Sequence, residues 1–490
     1  MAEFTTSDRE RIDSTVLSVV AEYHLPGIAV GVVSKNQLAY ARGVGYADIE
    51  SRRPQCLSLR QRIGSITKTM TGLCVMALVD EDRLSLDDRV VDRLPDLALN
   101  GPAEALTVKH LLTHTGGIGE APTMADYHDP WAALWADGPD SPGVPDAYSS
   151  GIDIEAHPGT KWAYANHAFA LLGEIVARIE NQPIEEVLRS RIYGPLGMTN
   201  TDCLDRPNAD LAACYHRPPG QDELDSLEVL GRDAPEEEPV DGHNIRGRYQ
   251  YVAPRAAGAV QSTIPDMARY AAALLRRGGG IVRPETFDSM VAPHWCPDDR
   301  LTNQGLVFHR RRRFGRVTFG HGGGVVGGWN THLTLVPNDD LALLVHMNLF
   351  FDDFSQVEGR ILQAVLDAPD RTRSDLPYDR AVRAVIAAAP GVYEPAPGYL
   401  TNWRTIKGTG RVQIKAEGEG LVVQARRGPW RNGVRMLPAD ADDPTFFVLE
   451  TGGPEPPGIA LVLDQGGAVS ELRFDRMVRM LRNDRLEPWS

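Results

Sequence analysis

The chain has 490 residues, of which 42% are hydrophobic and 24% charged, enough for a large core and, at roughly 150 residues per domain, for about two to four domains. Its 66 acidic residues outnumber 51 basic ones, and a formal charge of −15 argues against a general electrostatic attraction to nucleic acid. No apolar run approaches the roughly 18 residues of a membrane span, and no apolar run follows a basic start near Met1, so neither a membrane segment nor a signal peptide is expected.

Residues 8–23 predict a helix, with Ile12, Val16, Val19 and Val20 recurring on one face. Gly27 to Val33 reads as a buried strand and Gln37 to Gly45 as its antiparallel partner, with Ser34-Lys35-Asn36 as the turn. Helices are predicted over 65–79, 104–112, 167–180 and 264–276, and 116–160 reads as a long loop region. Residues 222–241 hold nine acids against the single base Arg232, the pattern of a solvated insertion. The run Arg310 to Arg313 reads as a solvated hairpin or strand end. Strands follow at 316–320, 331–336 and 341–347, then a helix at 354–366, and the early and late strands are expected to share one sheet.

After that helix the composition changes. A linker is expected over 371–384, and from Gly391 short alternating runs such as Leu421-Val422-Val423 and Phe446 to Leu449 predict a small all-β domain. The expected organisation is a domain over 1–370, the linker, and a barrel-like domain over 385–490. The five cysteines form no Cys-x-x-Cys and there is no His-Glu-x-x-His, so neither a disulfide framework nor a zinc site is indicated, and a reduced, cytoplasmic protein is the expectation.

Three segments carry chemistry. In Ile63-Gly64-Ser65-Ile66-Thr67-Lys68, Ser65 opens an apolar helix, where unpaired N–H groups favour negative charge, and Lys68 lies one turn on. A desolvated lysine can activate a serine, although the same pattern also suits a helix cap followed by a surface lysine. In Lys161-Trp162-Ala163-Tyr164-Ala165-Asn166, Tyr164 and Asn166 face the same side of an extended loop. There a phenol can relay a proton and an amide can bind a carbonyl; an aromatic anchor plus a cap is the other reading. Finally, Phe319-Gly320-His321-Gly322-Gly323-Gly324 can bring backbone N–H donors close to a ligand, or simply form a bend. It also matches Gly-x-Gly-x-x-Gly, but a strand and not a helix follows it, which argues against a dinucleotide fold.

In that order the three segments resemble the serine β-lactamase and penicillin-binding superfamily, read by Ser-x-x-Lys, Tyr-x-Asn and Lys-Thr-Gly or His-x-Gly. Val108 to Gly117 and Gly194-Pro195-Leu196-Gly197-Met198 are similar to the same family, and the resemblance covers roughly residues 8–366. It implies an α+β fold of the β-lactamase/transpeptidase type, an antiparallel sheet beside a helical region with the site between them. It further implies that Ser65 attacks a carbonyl to form an acyl-enzyme while Lys68 and Tyr164 exchange the proton. Asn166 orients the substrate amide or the lysine, and Ser65 and Gly324 N–H groups hold the oxyanion. His321 counts with the catalytic residues, and Gly322, Gly323 and Gly324 with those that bind substrate. No metal or organic cofactor is implied.

His321-Gly322-Gly323 stands where β-lactamases have Lys-Thr-Gly, and a neutral histidine lacks the charge that attracts a β-lactam carboxylate. This form resembles D-aminopeptidases and related esterases. The expectation is a serine hydrolase of small esters, amides or short peptides. An acyltransferase, or a penicillin-binding protein that acylates without turning over, is the alternative. The expected partner is a small-molecule or short peptide substrate, with homo-oligomerisation open.

Overall fold

A computed structural model describes residues 4–126, 132–140, 143–220, 237–351, 354–369, 378–398, 410–426, 428, 430–475 and 477–489. Helix α1 (Thr6–Glu22) starts at a capping box in which Thr5 and Asp8 satisfy each other's backbone N–H groups. It buries Ile12, Val16 and Val19, while Val20 is only half-buried. Strands β1 (Gly27–Ser34) and β2 (Gln37–Asp48) form the expected hairpin, turned by Lys35 and Asn36, both at positive φ.

The early and late strands do share a sheet. β1 pairs on its other side with β6 (Leu341–Met347), followed outward by β5 (Trp329–Val336), β4 (Arg316–Val325) and β3 (His309–Arg313). Two-residue strands at Asn303–Gln304 and Arg53–Pro54 complete eight. Because β1 is central, it is buried along its whole length. Ile28, Val30 and Val32 pack with α1 and α5 (Phe354–Leu366), and Ala29 and Val33 with the helical region on the opposite face. That region is built on α2 (Thr67–Asp80), α3 (Asn166–Glu180) and α4 (Ile264–Leu275). Every α2 residue from Thr67 to Leu78 is buried, so it is a core helix and not a surface one.

Four local expectations are corrected. The helix predicted at 65–79 begins as a single 3-10 turn, Gly64–Ile66, before α geometry starts at Thr67. The helix predicted at 104–112 splits into a 3-10 turn at Ala103–Ala105 and a short helix at Val108–Leu112, because extended Thr107 caps the latter through His110 N–H. The strand predicted at 316–320 runs to Val325, so the glycines form strand and not bend. They are needed for close packing: a Cβ on Gly320 would stand 2.0 Å from Leu333 O and one on Gly323 1.9 Å from Ile63 O. In the arginine run, Arg311 and Arg312 are exposed, but Arg313 is buried between Glu358 and Glu455.

The C-terminal region is a closed barrel of eight antiparallel strands: β7 (Gly391–Pro395), β8 (Val412–Glu417), β9 (Gly420–Ala425), β10 (Val434–Pro438), β11 (Phe446–Leu449), β12 (Gly458–Leu463), β13 (Val469–Phe474) and β14 (Arg479–Arg482). Alternation along β9 sends Leu421, Val423 and Ala425 inward, where they meet Phe447, Leu461 and Phe474. Of the linker expected at 371–384, residues 371–377 lie outside the described residues, and the rest is partly helical. Helix α6 (Arg380–Ala388) is capped by Asp379 and adds Val382, Val385 and Ile386 to the barrel core. The acidic insertion lies outside the described residues up to 236.

Polar contacts join the barrel to the sheet side. Arg313 donates to Glu358 on α5 at 2.7 and 2.8 Å and to Glu455 of the barrel at 2.8 and 2.9 Å. Thr302 N–H donates to Asp475 at 2.8 Å, and Arg300 pairs with Asp443. Among the described residues, no helix is long and apolar enough to cross a membrane.

Candidate active site

Ser65 sits in the 3-10 turn at the mouth of α2, half-buried, between the helical region and β4. The turn is held from both sides. Thr331 Oγ donates to Ile63 O at 2.9 Å from β5, and Ile63 N–H donates to Val260 O at 2.9 Å. Gly64 adopts φ 51°, and its Cα lies so close to β4 that a Cβ would come within 2.7 Å of Gly324 N. The Gly324 amide is thereby drawn next to the serine.

Lys68 follows by one turn and is fully buried. Its Nζ donates to Ser65 Oγ at 3.0 Å, to Asn166 Oδ1 at 2.8 Å and to Ala257 O at 2.7 Å. One of these acceptors is the serine hydroxyl, so the amine stands where a proton can move between it and the serine. Asn166 opens α3, which delivers its amide from the opposite wall. Lys68 Nζ also lies 5.1 Å from the centre of the Tyr164 ring and 5.7 Å from that of Phe169.

Tyr164 is held by a residue that motif reading passed over except as part of a resemblance. His114, at φ 55°, accepts the Ala163 N–H through its carbonyl at 2.8 Å and the Ala165 N–H through Nδ1 at 3.2 Å. Its ring lies 4.4 Å from the Tyr164 ring, centre to centre. The signal for it lay in Thr113-His114-Thr115-Gly116-Gly117, a turn whose partner loop could not be read from spacing.

His321 comes from β4, its ring 6.2 Å from Tyr164 and 4.8 Å from His309. A carbonyl only accepts, so Nδ1–H donates to Gly322 O at 2.6 Å and fixes the tautomer. Burial, and then the Lys68 charge, push the imidazole down to about 3, so the ring is neutral at physiological pH. His309 is driven the same way by burial and by His321. The structure thus gathers Ser65, Lys68, Tyr164, Asn166, His321, Gly323 and Gly324. Gly322 stands apart, since a Cβ on it would point to His332 and Phe354 on the α5 side. Among the described residues no group of three or more His, Cys, Asp or Glu side chains is arranged to hold a metal.

The sequence pattern of the Beta-lactamase family matches residues 12–368. The chain belongs to the beta-lactamase family. Protein Rv1367c of Mycobacterium tuberculosis (strain ATCC 25618 / H37Rv) is 28% identical over 366 residues, which cover 65% of this chain and 85% of that protein. Protein flp of Staphylococcus aureus (strain COL) is 28% identical over 207 residues, 40% of this chain and 39% of its own length. Among solved structures, the octameric penicillin-binding protein homologue from Pyrococcus abyssi superposes with a TM-score of 0.59 at 22% identity, covering 96% of this chain and 99% of that one. D-amino acid amidase from Ochrobactrum anthropi SV3 gives 0.61 at 21% identity over 74% of this chain and 99% of that one. EstCE1, a hydrolase with promiscuous acyltransferase activity, gives 0.59 at 20% over 74% and 100%. These neighbours, each under 25% identical, share the fold.

Proposed function

We propose that the protein hydrolyses a small ester or amide, including short peptides, through an acyl-Ser65 intermediate. The observation that carries this reading is the 3.0 Å hydrogen bond between buried Lys68 Nζ and Ser65 Oγ. As Ser65 Oγ bonds to the carbonyl carbon, its proton passes to the Lys68–Tyr164 pair and then to the leaving group. The carbonyl oxygen gains the electron pair and is held by the N–H groups of Ser65 and Gly324, which the Gly64–Gly324 contact supports. Collapse of the oxyanion re-forms the carbonyl and breaks the bond to the leaving group, which departs with that proton. Water, deprotonated by the same pair, then attacks the acyl carbon, the bond to Ser65 Oγ breaks, the serine takes the proton back and the acid leaves. Asn166 holds Lys68 in place and offers its amide N–H groups to the substrate carbonyl.

A neutral His321 supports substrates with no carboxylate beside it, because it gives a carboxylate no counter-charge. Likeness in fold to a D-amino acid amidase and to EstCE1, a hydrolase with acyltransferase activity, supports an acyl donor of this kind. An octameric neighbour spanning both domains makes a homo-oligomer part of the proposal. The first domain proposed is 1–370; because α6 packs into the barrel, the second is proposed to begin at or before Arg380, ahead of the expected 385, and to run to 490.

The test is intact-mass measurement after exposure to a para-nitrophenyl ester, a D-alanine amide and a penicillin, with Ser65→Ala in parallel. A transient adduct from the ester or the amide, absent in Ser65→Ala, is expected. A penicillin adduct that persists without turnover would point instead to a trapped penicillin-binding protein, and an adduct that survives in Ser65→Ala would sink the acyl-serine route.

A further inference from the structure

We infer that His114 is the positioning residue for Tyr164, setting where the phenol stands relative to Lys68; this rests on the role proposed for Tyr164 above. The N–H groups on either side of Tyr164 both end on His114, one on its carbonyl and one on its Nδ1, at 2.8 and 3.2 Å. A single residue therefore fixes the backbone before and after the tyrosine. It does so only because φ is 55°, a left-handed turn that brings its carbonyl and its ring to the same segment.

The surrounding hydrogen bonds make this turn rigid. Thr115 O accepts Gly159 N–H at 2.7 Å and Gly117 O accepts Glu155 N–H at 2.8 Å, so residues 114–117 are zipped to the loop that leads into Tyr164. Gly117 allows this approach, since a Cβ there would lie 2.0 Å from Ala156 O. The ring is 1% exposed and touches Tyr164, Trp162 and Phe169, with centroids 4.4, 6.0 and 5.2 Å away. Accepting a backbone N–H requires a bare Nδ1, so the ring that supports the phenol is the uncharged tautomer with its proton on Nε2.

The side chain has two separable contributions, an acceptor at Nδ1 and an aromatic surface, and the backbone adds a demand for left-handed φ. Glycine meets only the last. Asparagine tolerates that φ and places Oδ1 where Nδ1 stands, so it restores the acceptor without the ring.

The experiment measures steady-state kinetics on the para-nitrophenyl ester for His114→Gly, His114→Asn, Tyr164→Phe and the His114→Gly/Tyr164→Phe double variant. His114→Gly is expected to lower kcat by about tenfold to a hundredfold, as a displaced reacting group does, with KM changed less than about threefold. His114→Asn is expected to recover most of that loss. In the Tyr164→Phe background, His114→Gly is expected to add little, because the two act through the same hydroxyl. Full kcat in His114→Gly beside an impaired Tyr164→Phe overturns the role of His114 and leaves the catalytic reading standing. Full activity in Tyr164→Phe overturns the catalytic reading itself, and with it this inference. Equal losses from His114→Gly in both backgrounds overturn the coupling. Should the glycine variant fail to fold, His114→Asn carries the test alone, and a kcat more than about tenfold below the parent protein overturns the inference.

Discussion

Gly64 and Gly324 meet backbone to backbone: a Cβ on Gly64 would stand 2.7 Å from the amide nitrogen of Gly324 and 2.9 Å from its carbonyl oxygen. The contact couples the turn bearing Ser65 to the outer half of the sheet, so neither can move without the other. Gly64→Ala adds that overlap to a left-handed φ of 51°. A stability loss of about 2 kcal/mol or more is expected in urea unfolding, together with a marked drop in kcat. Parental stability and parental kcat would refute the coupling.

Lys68→Met retains the length of the side chain and removes the amine that contacts Ser65 Oγ, Asn166 Oδ1 and Ala257 O. The acylation rate, read by intact mass in a single turnover, is expected to fall by about a hundredfold to ten-thousandfold, the range of a lost general base. An adduct forming at the parental rate would remove Lys68 from the mechanism.

Arg313 tests how the barrel is held. Burial alone would raise the Glu358 carboxyl, but the adjacent Arg313 charge, helped by hydrogen bonds from Arg313 and Thr334, brings it down to about 2. Arg313→Leu strands that buried carboxylate and is expected to cost about 3–5 kcal/mol. Glu455→Gln, at the partly exposed arm of the same cluster, leaves the Arg313–Glu358 pair intact and is expected to cost about 1 kcal/mol or less. The reverse order in denaturant melts would show that the exposed arm dominates.

Acid should weaken the sheet through its histidines. His346 is 1% exposed, with neither ring nitrogen hydrogen-bonded among the described residues, and burial holds it down to about 3. His332 is held near 4 by burial as well. Unfolded, such groups bind a proton near about pH 6.5; folded, they do not, so their stabilising contribution is complete above that pH and lost as pH falls towards 3–4. His346→Leu is therefore expected to raise Tm relative to the parent more at pH 5 than at pH 8. A pH-independent difference would show that His346 does not contribute to acid sensitivity.

Much of this architecture was legible because its signals are local. β1 and β6 are nearly continuous apolar runs, and β6 was read with its observed limits, 341–347. Ser65 and Lys68 could be paired because one helical turn separates them. The missed features depend on distant neighbours. Gly320 to Gly324 looks like a bend until Leu333 and Ile63 occupy the space where side chains would be. Strands β7, β10 and β14 are short, and the periodicity of Arg479-Met480-Leu481-Arg482 is too brief to read without the barrel around it. The helix at Arg380–Ala388 did carry a readable apolar spacing in Val382, Val385 and Ile386, but its charged surroundings favoured a linker. His114 gave no hint of its two acceptors, since they depend on a φ that the sequence does not display.

The barrel closes by pairing its first strand with its last, Tyr393 opposite Arg482 and Pro395 opposite Met480. A ring of this kind has no partial version. During synthesis, seven strands must wait for the eighth, and the Glu455 arm that reaches Arg313 belongs to a module still open until residue 482 has been made. A chain stopped short of residue 479 would carry bare edges along both β7 and β13, each a template for another chain. Loss of the last twelve residues, Arg479 to Ser490, would therefore show itself first as self-association, before any change at Ser65.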